Sequence, residues 1–223
     1  MSPSPEQIRK QMERTTADLV GLSLCDRQNF PSMRNIGQGC CEIGISDKGN
    51  ISYALKNLSY RDIYTELNRM QSYNMRMLDG ALIHMMYRFR NNQIEAHRLA
   101  FFPSPFLEEF QNNPDIYLDD EVYAEVVMKN IVPFPLRFDF DCREDVVVEM
   151  YHPKSHLTLG QYQNCRIPVS APLTPYHFIA FILRNFYNTA YRKYCNQLST
   201  FTDCFETSIS KRETSLLHVN IPS

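Results

Sequence analysis

Residues 81–102 read ALIHMMYRFRNNQIEAHRLAFF, and this run decides the fold. Two stretches rich in apolar and aromatic residues meet at Asn91-Asn92. Asparagine tolerates the left-handed backbone that a tight hairpin turn requires. The run therefore predicts a long antiparallel hairpin, the longest of the chain.

Downstream, residues 136–141 read LRFDFD and alternate strictly. Period two sends Phe138 and Phe140 into the core and puts Arg137, Asp139 and Asp141 on the opposite face. Val146, Val147, Val148 and Met150 read as the returning strand, and the same parity then sets Glu149 beside Arg137. Further strands are expected at 157–159 and 165–169. Thr174-Pro175 opens a helix to residue 191, because proline at the first helical position loses no hydrogen bond. Its apolar positions Phe178, Ile179, Ile182, Leu183, Phe186 and Tyr187 form a wide stripe that suits packing on a sheet.

Upstream, Ser4-Pro5 starts a helix over 5–21 in the same way, with Ser4 as its cap. A loop rich in Asn, Pro and Gly follows. Residues 41–45 and 51–55 flank the turn signal Asp47-Lys48-Gly49-Asn50 and read as a second hairpin. Ser59 to Asp62 resembles a capping box, and Ile63, Leu67 and Met70 recur at helical spacing, so a helix is expected over 59–71. A short helix is expected over 106–111, another over 121–129, and a last strand over 216–221. These elements make one α+β domain over 1–223, a mostly antiparallel central sheet with helices 5–21 and 174–191 on one face.

Composition narrows the function classes. With 223 residues, 43% of them hydrophobic, the chain can bury a core. A formal net charge of −2 provides no global attraction to nucleic acid or anionic membranes, though a local basic groove remains open. The seven cysteines show no C-x-x-C spacing, which argues against a structural zinc cluster and for a reduced protein. No apolar leader is evident at the start, and no apolar run approaches the ~20 residues of a membrane span. A cytoplasmic protein without a membrane partner is expected.

The densest chemistry lies in residues 151–170, YHPKSHLTLGQYQNCRIPVS. Pro153 argues against a helix between His152 and His156, so the pair brackets a turn between strands. There the two rings can act as general acid and base in phosphodiester cleavage. Equally, one ring can cap the corner on a backbone carbonyl while the other stays exposed. Arg137, Asp139 and Asp141 offer either carboxylates for a divalent metal and an arginine for phosphate, or a wet face paired to Glu149. Arg166 follows Cys165 in a strand expected near His156. Arg88, Arg90 and Arg98 in the long hairpin, with Arg69 and Arg76, are either the rim of a nucleic-acid groove or solvated charges.

The phrases LKNLSYRDIYTEL, NMRMLDGALIHMMYRF, HRLAFFPSPFLEEFQ, PLRFDFD and HPKSHLTLGQYQNCRIPVSAPLTPYHFIAFILRNFYN together resemble an uncharacterised bacterial family, domain of unknown function 2290, over about 42–188. That resemblance implies a bacterial intracellular protein and no activity. The order Arg137, Asp139, His152, His156 is also similar to the TumE family of toxin-antitoxin proteins, although the histidine spacing differs and the N-terminal part is longer here. The combined expectation is a nuclease or toxin-like effector that cleaves RNA or DNA in phage defence, with His152, His156, Asp139, Arg137 and Arg166 as its site. The competing expectation is a non-catalytic antitoxin, adaptor or subunit that docks a protein partner.

Overall fold

Asn91 and Asn92 adopt positive φ angles of 48° and 64°, and the turn they make joins the two longest strands among the described residues. The structure is a computed structural model that describes residues 2–45, 58–112, 125, 131–162 and 164–222. In chain order its elements are helix α1 (Pro5–Gly21), strands β1 (Cys25–Gln28), β2 (Ser32–Gly37) and β3 (Cys40–Gly44), and helix α2 (Tyr60–Arg69). Strands β4 (Met75–Met77), β5 (Leu82–Arg90) and β6 (Gln93–Phe102) follow, then helix α3 (Leu107–Gln111). Strands β7 (Leu136–Asp141), β8 (Ser155–Leu159) and β9 (Ile167–Pro168) precede helices α4 (Pro175–Phe186) and α5 (Asn188–Tyr194).

One sheet contains the nine strands of the described residues, in the order β1-β4-β5-β6-β7-β8-β9, with β3 and then β2 added beside the turn end of β5. Each ladder between these strands is antiparallel, and the fold is α+β. Strand alternation gives the sheet two different faces. Ile43, Met85, Tyr87, Leu99, Phe138 and Leu157 point one way and are buried under α1 and α4, which contribute Ile8, Met12, Leu19, Phe178 and Ile182. On the opposite face, α2 covers only one end, where Tyr64, Leu67 and Tyr73 pack on Leu82. The remainder of that face carries charge.

Helix α1 begins where Ser4 and Gln7 cap each other reciprocally: Gln7 N donates to Ser4 Oγ (3.3 Å) and Ser4 N donates to Gln7 Oε1 (2.8 Å). This satisfies two backbone donors that the helix start otherwise leaves free. Ser4→Ala is expected to lower stability by about 1 kcal/mol in a urea titration, with an unchanged transition slope.

Several expectations need correction. The segment after α1 is not merely a loop, since it contains β1 and β2. Residues 146–150 form no returning strand; they lie in a turn-rich loop where Met150 has φ +71° and Val148 is exposed, and the strand that returns along β7 is β8. Glu149 accordingly pairs with Arg212 (3.1 Å) rather than with Arg137. The helix expected over 174–191 is two helices broken at Tyr187, whose φ of −137° is not helical. Residues 216–221 contribute a single parallel bridge, Val219 to Val169, in place of a strand. The expected strand 51–55 lies outside the described residues, as does the expected helix 121–129 apart from residue 125.

Candidate active site

Register builds the site. β6 sets Arg98 opposite Asp139 on one side, and β8 sets His156 opposite Asp139 on the other. The Asp139 carboxylate therefore lies among three potential cations on the charged face. Arg98 Nε approaches its Oδ1 at 3.2 Å, Arg137 donates from Nε to its Oδ2, and His156 Nε2 stands 3.8 Å from Oδ2. Burial alone would raise the Asp139 pKa, but the charges of Arg137 and Arg98 outweigh it and hold the carboxyl below its ordinary value.

His156 is only 4% exposed. Its Nδ1 lies 3.0 Å from the Pro153 carbonyl oxygen, an atom that can only accept, so Nδ1 carries the proton and Nε2 is left facing Asp139. The His152 ring lies edge-on to the His156 ring, with centroids 5.0 Å apart. Burial lowers the pKa of both imidazoles, and the nearby Arg166 charge lowers that of His152 further. Both rings are thereby biased to the neutral form that accepts a proton. His152 is half-buried and keeps an edge towards solvent.

The loop that carries His152 is tied down at two points. Val148 and His152 exchange backbone hydrogen bonds (3.0 and 2.6 Å), and the buried Glu213 carboxylate accepts from Met150 N (3.3 Å) and Ser210 N (2.9 Å). His152, His156, Asp139 and Arg137 are thus brought together, with Arg166 within electrostatic reach, one residue before β9. One ring does cap the corner on a carbonyl and the other does stay half-exposed, so that alternative describes the same geometry. The carboxylates expected to hold a metal are otherwise engaged, Asp139 as described and Asp141 by Arg143 at 2.6 Å. Among the described residues, no three His, Cys, Asp or Glu side chains converge to hold a metal ion.

Sequence reading missed two contributors. Arg98 is set on Asp139 by a pairing 41 residues apart, and its alternation with Ala96 and Ala100 was the available signal. Glu213 reaches Met150 across 63 residues, and no local pattern announces that contact.

A family model described as an uncharacterized conserved protein, DUF2290, matches residues 24–221. The chain belongs to this family. The DUF2290 match extends on both sides of the 42–188 resemblance and takes in β1, β2 and the Glu213 segment. No curated protein and no solved structure matches the chain. Among the described residues, no helix is long and apolar enough to cross a membrane.

Proposed function

We propose that this DUF2290 protein is a cytoplasmic nuclease that cleaves phosphodiesters by general acid-base catalysis, in a phage-defence or toxin-antitoxin setting. The convergence of the His152–His156 pair with Asp139, Arg137 and Arg166 carries the reading. His152 is the ring with access to substrate, and it takes the proton from the attacking hydroxyl. An RNA 2′-hydroxyl is the nucleophile that requires least from the protein, so RNA is the favoured substrate. As the imidazolium, His152 returns that proton to the leaving oxygen, and the nearby Asp139 charge stabilises it while it carries the proton; His156 is a positioning residue, oriented by Pro153 and packed edge-on against the His152 ring. Arg137 and Arg166 stabilise the charge that builds on the phosphate oxygens. The defence setting draws its support from the motif order similar to the TumE family alone.

The test is incubation of the purified protein with end-labelled RNA and DNA, with and without chelator. His152→Ala is expected to reduce cleavage by about 10²- to 10⁴-fold with little change in melting temperature, as for loss of a general acid or base at a half-exposed position. His156→Ala is expected to reduce both cleavage and stability, because it vacates a buried site. No cleavage by the wild-type protein, or full cleavage by both variants, overturns the reading.

A partner-docking role has its own supporting observation. Phe30, Met33 and Ile36 expose large apolar side chains on and beside β2, which among the described residues is an edge strand paired to β3 alone. Retention of a native partner that Met33→Lys and Ile36→Lys release, in a protein without nuclease activity, is the outcome this second reading expects.

A further inference from the structure

The proposed reaction leaves part of the charged face unused. Arg34, Glu42 and Arg88 stand opposite one another across β2, β3 and β5. They share the face that carries Arg98, Asp139 and Arg137, because Arg88 pairs with Ala96 and Ala96 with Asp141. Electrostatics support the assignment. Burial pushes the His84 pKa down to about 4, and the same ring feels both Arg98 and Glu42.

On this face, each of two carboxylates is shared by two guanidinium groups. Glu42 accepts from Arg34 at 2.7 Å and Arg88 at 3.2 Å, as Asp139 accepts from Arg98 and Arg137. The carboxylates are the sunken members: their side chains are 19% and 13% exposed, against 33% to 41% for the four arginines. Each triad therefore nets one positive charge and turns it outward. Three strand spacings and two residues along β7 separate Glu42 from Asp139, about 16 Å at the usual intervals, and Ala96 keeps the intervening floor low. Next to His152 in the chain, Tyr151 is 79% exposed and presents its ring to solvent.

We propose that this face is a track for a single-stranded polynucleotide, with phosphates over Arg34, Arg88, Arg98 and Arg137 and a base stacked on Tyr151. Spaced outward guanidinium groups match a repeating anion, and an exposed ring beside them matches an unpaired base. A duplex keeps its bases stacked on each other and gains nothing from the tyrosine. The inference deepens the nuclease reading and rests on it for the placement of the scissile bond near His152.

The experiment separates binding from cleavage. Fluorescence anisotropy with the full-length His152→Ala protein measures affinity for single-stranded RNA, single-stranded DNA and duplex RNA of equal length across a salt series. Single strands are expected to bind more tightly than duplex. The triple variant Arg34→Gln, Glu42→Gln, Arg88→Gln removes the distant triad without leaving a carboxylate unpaired. It is expected to flatten the log-log salt slope by about 0.7, the slope per neutralised phosphate on a single strand, because the triad nets one positive charge. Tyr151→Ala is expected to weaken single-strand binding by about five- to a hundredfold and to leave duplex binding alone. Binding without cleavage by the wild-type protein keeps the track and overturns the nuclease reading. Cleavage without single-strand preference, no change in the triple variant, or capture of an acidic protein with no polynucleotide bound overturns the track.

Discussion

Phe138→Ala is expected to destabilise the protein by about 3 to 5 kcal/mol, the range for removing a buried aromatic ring. Phe138 is 1% exposed and sits where the sheet meets α4, with its ring edge-on to Phe178 (centroids 6.2 Å) and Phe181 (5.3 Å). Its flanking strands press on it from both sides, since Leu99 on β6 and Leu157 on β8 are its register partners and both are buried. Neither strand can move inward to fill the void without breaking a ladder, so a cavity remains and its cost adds to the lost transfer energy. A domain margin of about 5 to 15 kcal/mol leaves little reserve after such a loss. Urea unfolding checks it, and a midpoint shift worth under about 0.5 kcal/mol, the size expected of a surface change, would show that this ring does not anchor the sheet.

The same residue shows what the sequence makes legible. Alternation in LRFDFD is a local pattern enforced by burial on one face, and the two asparagines at 91 and 92 announce their turn through backbone preference alone. The valines at 146–148 mislead for a physical reason. β-branched residues favour strands only where an edge is free to pair, and both edges of β7 are already occupied, by β6 and β8. β1 and β2 escape notice because most of their side chains are exposed and leave no alternation to read. The break at Tyr187 is equally hidden, since the apolar spacing continues through it while its hydroxyl is held by Asp79, 108 residues away.

For the candidate site, the split follows the range of the interaction. His152 and His156 lie four residues apart around a proline, and their convergence on Asp139 needs only one strand pairing. That much follows from sequence spacing once β7 and β8 are neighbours. The charge that governs Asp139 comes from Arg98 and Arg137 together, and the Arg98 share depends on which residue of β6 faces it. A slip of one residue would turn Arg98 into the core and bring His97 or Leu99 to the carboxylate. Register, not composition, makes the face cationic.

Asp79→Asn is expected to stabilise the protein at pH 7.5 by an amount on the order of 3 kcal/mol, and to have little effect at or below pH 4. Asp79 is buried between β4 and β5, where it accepts from Tyr187 Oη (2.9 and 3.0 Å) and from Ala81 N (3.1 Å). Burial outweighs these donors and pushes its pKa from 3.8 up to about 6. Because the folded protein holds this proton more tightly than the unfolded chain, the associated stability is fully present below pH 3.8 and is lost as pH rises through 6. Asparagine keeps the shape and a carbonyl acceptor for Ala81 N and Tyr187 Oη, but it has no charge to desolvate. The buried His97 works in the opposite direction. Burial pushes its pKa from 6.5 down to about 4, so its contribution is present above pH 6.5 and is lost as pH falls through 4. The wild-type curve therefore contains two opposed slopes in the same window and does not report either group alone. Subtracting wild type from variant at each pH cancels His97 and leaves the Asp79 term. The difference should rise between pH 4 and 6 and then level off. A difference independent of pH would mean that the Asp79 carboxylate is ionised in the folded and unfolded protein alike.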